Sequence, residues 1–150
     1  MFKTFNDMWD ELHEEGLSTR EEWVDATCSQ VYRTREEVCA PLVDPSSEVY
    51  QSGLRLVSAH TDVVKCPYRA AYEAAGGTMS TQEFATSYIP TLRSWSETVF
   101  ATALDSSRPE DARAALVDQF YQRYEDRVAA DPTGHAMDYV HCYLAIEKIS

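Results

Sequence analysis

Apolar side chains recur at three- and four-residue steps over most of this chain, the spacing that lines one face of an α-helix. Phe2, Phe5, Trp9 and Leu12 form the first stripe, and Gly16 stands where a left-handed C-terminal cap would end it. A short helix is expected around residues 20 to 27, and another from about 35 to 43, carrying Val38 and Leu42 and stopped by Pro45. Gly76-Gly77 breaks the chain before Phe84, Tyr88, Leu92, Trp95, Val99 and Ala103, which share one helical face. Pro90 lies inside that run and predicts a kink or two abutting helices. The segment from Ser107 to Ala130 carries Ala112, Leu116, Phe120, Tyr124 and Val128 at strict four-residue steps.

Helix starts are marked by a Ser or Thr followed three residues later by Glu, so that each side chain satisfies a backbone N–H of the first turn. Thr19–Glu22, Thr34–Glu37, Ser80–Glu83 and Ser107–Glu110 all have this form. Two segments follow the other period. Gly53 to Val64 has β-branched content with partial alternation, closed by Cys66-Pro67. Asp138 to Lys148 places Val140, Cys142, Leu144 and Ile146 on one face and Tyr139, His141, Tyr143 and Ala145 on the other. Both faces are fairly apolar, which predicts a strand covered on both sides.

The expected order is therefore three helices, a strand, two long helices and a strand, an α+β arrangement when taken in isolation. A lone strand pair is marginal in water and needs helices or further strands packed on it. No internal repeat or low-complexity tract is present.

A chain of 150 residues with 44% hydrophobic and 25% charged residues has the composition of a soluble folded domain. Its formal net charge of −12 argues against nucleic acid and anionic membrane surfaces, because both select clustered Lys and Arg. Acids concentrate in residues 1 to 25, where eight stand against Lys3 and Arg20, as on a solvated helix face. Neither a secretory signal nor an apolar run long enough to cross a membrane is found, so a cytoplasmic location is expected. Cys28, Cys39, Cys66 and Cys142 then read as reduced thiols.

Candidate chemistry is sparse. His60 and His141 would approach each other if the two strands pair, yet no CxxC, HExxH or clustered-ligand spacing supports a metal site. Cys28 and Cys39 sit among carboxylates, the wrong surroundings for a reactive thiolate. Nucleophile-elbow, P-loop and dinucleotide fingerprints are absent. Nine Tyr, five Phe and three Trp suit a core, and also a pocket for a small organic acid or aromatic compound.

Thr91-Leu-Arg-Ser-Trp-Ser-Glu-Thr98, Phe120-Tyr-Gln-Arg-Tyr-Glu125 and Asp138 to Lys148, in that order, resemble the C-terminal half of the plant-type salicylate, benzoate and jasmonate carboxyl methyltransferases and their microbial relatives. Trp9 to Leu17, Val31 to Val38 and Gly53-Leu-Arg-Leu56 are similar to earlier pieces of the same family pattern, although the Tyr32 segment runs one residue short and lacks the usual Pro. The resemblance implies an α/β class I S-adenosylmethionine-dependent methyltransferase fold, of which residues 1–150 would be one partial domain. Helices would fill residues 1–45, strands 53–64 and 137–148 would be the last two of the sheet, paired antiparallel, and residues 78–130 would be a helical cap.

By the same resemblance, Leu92, Trp95, Tyr139 and Tyr32 would line the substrate site, with no catalytic, cofactor or metal ligand supplied by this chain. Leu92 and Trp95 also read as plain core positions. The donor, S-adenosylmethionine, would bind a glycine motif that this sequence does not contain, so the chain alone should be inactive. Its partners would be a small-molecule substrate and either a separate donor-binding half or a second copy. The rival expectation is a non-catalytic binding or oligomerisation module derived from a methyltransferase, built on an unpaired sheet edge.

Overall fold

The computed structural model describes residues 2–26 and 31–149. The chain divides into two compact units, one of Met1–Ser29 with Pro67–Met137 and one of Gln30–Cys66 with Asp138–Ser150. Among the described residues the fold is α+β: seven helices and one two-stranded antiparallel sheet.

The first unit is helical: α1 (Phe2–Glu14), α2 (Arg20–Asp25), α5 (Pro67–Ala74), α6 (Thr81–Ala103) and α7 (Glu110–Ala130). Gly16 ends α1 with φ 76°, its N–H on the His13 carbonyl at 2.9 Å and the Leu17 N–H on the Leu12 carbonyl at 3.0 Å. This is the paired closure of a Schellman turn, which a residue without Cβ enters at no steric cost. Phe5, Trp9, Phe100 and Phe120 form the centre of the core, with the Phe100 and Phe120 rings 4.3 Å apart and Phe5 edge-on to Tyr124 at 5.3 Å. Leu116, Phe120, Tyr124 and Val128 are buried, as the four-residue spacing of α7 predicts, while Ala112, in the first turn, is exposed. At the surface, Arg127 reaches Glu11 and Arg123 reaches Glu15, each at 2.7 Å, joining α7 to α1.

The second unit holds α3 (Arg35–Val43), α4 (Glu48–Gln51), β1 (Leu54–Val64) and β2 (Tyr139–Lys148), with α3 and α4 packed against β1. The register sets Val64 opposite Tyr139, His60 opposite Tyr143 and Leu56 opposite Ile146, with Val57 bulged out of the ladder. Asp138 closes one end, accepting from the Cys66 N–H at 2.9 Å and the Lys65 ammonium at 2.7 Å. Gly53 closes the other: its φ is 92°, its carbonyl accepts the Ile149 N–H at 2.8 Å, and a Cβ there would stand 2.5 Å from the Ile149 carbonyl oxygen.

Three of the four sequence-marked helix starts form complete capping boxes, at Thr19–Glu22, Thr34–Glu37 and Ser80–Glu83. The fourth does not. The N-cap of α7 is Pro109, because the Ser107 N–H turns back to the Asp105 carboxylate at 2.7 Å and delays the first turn. Pro90 does not divide its helix, since α6 is continuous from Thr81 to Ala103. Two helices lack a strong sequence signal: α4 is a single turn, and α5 begins on Pro67, which the sequence presented only as the end of a strand. The expected cover over β2 is also missing. Val140 is 73% exposed and Tyr139, Tyr143 and Ile146 are 43 to 46% exposed, because α3 and α4 lie on β1 and no further strand flanks β2 among the described residues. The end of the helix expected at residue 27, and Cys28, lie outside the described residues.

Candidate functional site

The four residues singled out by resemblance fall two in each unit. Helix α6 carries Leu92 and Trp95 one turn apart. Leu92 is fully buried within the helical core. Trp95 is half-buried, its indole lying against Phe2 at 6.0 Å and edge-on to Phe5 at 5.8 Å. The buried Trp95 Nε1–H finds no acceptor among the described residues, an unusual cost for an interior donor. Tyr32 is 74% exposed ahead of α3, and Tyr139 is 45% exposed at the start of β2 with its ring 5.9 Å from His141.

Arg93, between Leu92 and Trp95, is the nearest cation in sequence to these two. Its guanidinium grips Glu97 through Nε at 3.0 Å and Nη2 at 2.9 Å and also donates to Asp118 at 2.6 Å. The hydrogen bonds Arg93 donates to Glu97 and then to Asp118 raise its pKa further, and the first of them holds Glu97 low. A cleft of about 420 Å³ beside it is lined by Ile89, Pro90, Arg93, Asp118, Tyr121, Gln122 and Glu125. Two carboxylates against one already paired cation make this cleft a poor seat for an anion.

A second cleft, of about 230 Å³, lies between α1 and α2 and is lined by Asn6, Trp9, Asp10, Trp23 and Ala26. Trp23 donates from Nε1 to Asp10 at 2.6 Å and stacks on His13 at 5.2 Å.

The most perturbed carboxylate belongs to a structural pair. Glu22 is 2% exposed, and its pKa is lowered to about 2, chiefly by its hydrogen bonds with Arg108 and then by the N–H groups of Thr19 and Asp105. Arg108 donates to it from Nε at 2.5 Å and from Nη2 at 2.7 Å, and the same Nη2 reaches the Leu17 carbonyl at 3.1 Å. One side chain thus caps α2 and fastens it to the α6–α7 turn. The sequence showed the capping half of this role through Thr19–Glu22; the partner lies 86 residues away and leaves no local sign.

On the sheet, the register puts Asp62 opposite His141 and Tyr143 opposite His60, so the two imidazoles are not direct cross-strand partners. His60 stacks on Tyr143 at 5.0 Å, and Tyr143 lies 5.8 Å from His141. Together with Tyr139 they form an exposed aromatic row along one face. Cys39, Cys66 and Cys142 are free thiols, and among the described residues no three His, Cys, Asp or Glu side chains gather as a metal site. No described helix is long and apolar enough to cross a membrane.

No protein-family model and no curated protein matches the chain.

Proposed function

We propose that this chain is the cap and C-terminal portion of an S-adenosylmethionine-dependent methyltransferase acting on a small carboxylic acid or related small molecule. The observation that carries the reading is the pairing of β1 with β2. These strands lie far apart in sequence, pair antiparallel, and enclose α5, α6 and α7 between them in the chain. An antiparallel pair ending the sheet, with cap helices inserted between its strands, is the arrangement the sequence resemblance implies.

In this reading S-adenosylmethionine supplies an electrophilic methyl group, bound on a donor-binding half outside this sequence. The chain contributes walls and lid. Methyl transfer is an in-line displacement, so orientation and exclusion of water do the catalytic work and no nucleophilic side chain is required. Within the helical unit, Trp95 would offer its unpaired indole N–H to an oxygen of the substrate, with Leu92 backing it from the core; Tyr32 and Tyr139, on the strand unit, are the further positions the resemblance proposes. The cytoplasm is the proposed compartment, with neither nucleic acid nor membrane as partner, on the strength of the −12 charge.

Isothermal titration with S-adenosylmethionine is expected to give no heat of binding for the chain alone, and micromolar affinity would overturn the division of labour. Titration with benzoate is expected to move the Trp95 indole N–H resonance. Shifts confined to other residues would remove Trp95 from the site. The second reading, a non-catalytic association module, is favoured by one observation: β2 is apolar on both faces and exposed.

A further inference from the structure

The two strands differ in how their outer edges are treated. Unpaired edges invite pairing with another chain, and proteins blunt them with bulges, charges or covering elements. β1 has all three. Val57 bulges out of the ladder, Asp62 turns its carboxylate onto the Val63 N–H at 2.7 Å, and α3 and α4 pack against the strand. β2 runs Tyr-Val-His-Cys-Tyr-Leu-Ala-Ile from 139 to 146 with no charge, proline or bulge, and Val140 and Ile146 stand exposed on one face. It has the sequence of an interior strand in an edge position.

Charge is also unevenly shared. The strand-bearing unit holds five Lys and Arg against seven Asp and Glu, whereas the helical unit holds eight against eighteen. Two copies meeting through helical units would bring surfaces of net charge −10 together; meeting through strand units they would bring surfaces of net charge −2.

We infer that β2 pairs antiparallel with β2 of a second copy of this chain, about a two-fold axis through Tyr143, to give a four-stranded sheet ordered β1-β2-β2-β1. That register sets Val140 opposite Ile146, Cys142 opposite Leu144, and His141 opposite Ala145. Tyr139 faces Glu147 as a hydroxyl donor to a carboxylate. Asp138 faces Lys148 at both ends, so opposite charges close the ladder. Both ends of that pair already have partners within the chain: Asp138 holds Lys65, and the Lys148 ammonium lies on the Ser52 carbonyl. The contact between copies extends those networks. Moving the axis to Cys142 or Leu144 loses the Asp138–Lys148 match. A two-fold edge contact is isologous and closes at the dimer. The inference needs only this chain, and it uses the β2 edge that the methyltransferase reading leaves for the rest of the sheet, so a donor-binding half and a second copy would compete for it.

Sedimentation equilibrium of the full chain, at concentrations up to about 100 µM, is expected to show a dimer in the range of a weak specific interface. Val140→Lys combined with Ile146→Lys puts Lys against Lys twice across the axis and is expected to weaken association by about tenfold or more. Val140→Lys combined with Ile146→Glu puts Lys against Glu and is expected to restore it. Circular dichroism of both variants checks that the monomer fold persists. A wild-type chain that stays monomeric, a double-lysine variant that dimerises as well as wild type, or a Lys/Glu variant no better than the double lysine would each overturn the pairing or its register.

Discussion

The Glu22–Arg108 pair offers the most quantitative test of how the helical unit is held together. Glu22 accepts two bonds from Arg108 and one each from the N–H groups of Thr19 and Asp105 while only 2% exposed, and Arg108 keeps 30% of its side chain in water. A carboxyl held near 2 instead of 4.5 favours the ionised folded state by about 3 kcal/mol, taking 1.36 kcal/mol per pH unit. Because the folded value is the lower one, that stability is fully present above about pH 4.5 and drains away as pH falls toward 2. At neutral pH, Glu22→Gln keeps the volume and one acceptor oxygen, but it removes the charge that pairs Arg108 and turns an NH2 toward one backbone donor and one guanidinium N–H. The loss should be about 2–3 kcal/mol, at the lower end for a broken buried pair because water can still reach the guanidinium. For a chain of this size that is a fall of roughly 5–10 °C in Tm. Arg108→Met should cost a similar amount, and the double variant less than the sum, leaving a coupling of about 2 kcal/mol. Differential scanning calorimetry of the four proteins at pH 7 and between pH 5 and 2 reads all of this. A coupling below about 0.5 kcal/mol, or a Glu22→Gln variant whose acid limb matches wild type, would refute the reasoning.

Three further outcomes are expected. Gly53→Ala should destabilise the strand unit by about 1–3 kcal/mol, since the new Cβ meets the Ile149 carbonyl oxygen at 2.5 Å and the backbone has φ 92°; faster amide exchange along β1 and β2 is the readout. Phe120→Ala should cost about 3–5 kcal/mol by opening a cavity against Phe5, Trp9 and Phe100, measured by urea unfolding. His135 sits half-buried against Tyr124, and desolvation lowers its pKa below 6.5. The unfolded chain therefore binds the proton more readily, so stability should rise as pH is raised through the range just below 6.5, and His135→Gln should flatten that slope in Tm against pH.

Much of the fold is legible in the chain because its signals are local. The three capping boxes, the Gly16 closure, the four-residue stripe of α7 and the two alternating strands each depend on residues within a turn or two of one another. What escapes sequence reading depends on distant or competing partners. Ser107 carries the right box residues, yet Asp105 takes its N–H first. Helix α5 hides behind Pro67, a residue that equally ends a strand or starts a helix. The two apolar faces of β2 predict burial by rule, but only a third strand or a second layer can provide it. For the candidate site, the family resemblance pointed to Leu92, Trp95, Tyr32 and Tyr139; the four-residue spacing of Arg93 and Glu97 is a local signal, whereas Asp118 on another helix leaves none.

The sheet's closure by segments on either side of the helices bears on the order of folding. Joining Val64 to Tyr139 in an unstructured chain closes a loop of about 75 residues, an entropic cost of about 4 kcal/mol before any ladder bond repays it. Within the helical unit, Arg69 near the start of α5 donates to the Pro132 carbonyl just beyond α7 at 2.8 Å. Once those helices have condensed, the open loop shrinks to a handful of residues and the cost falls by roughly half. The helical unit thereby acts as a template for strand pairing, and refolding should show α6 and α7 amides protected before those of β1 and β2 in pulsed hydrogen exchange.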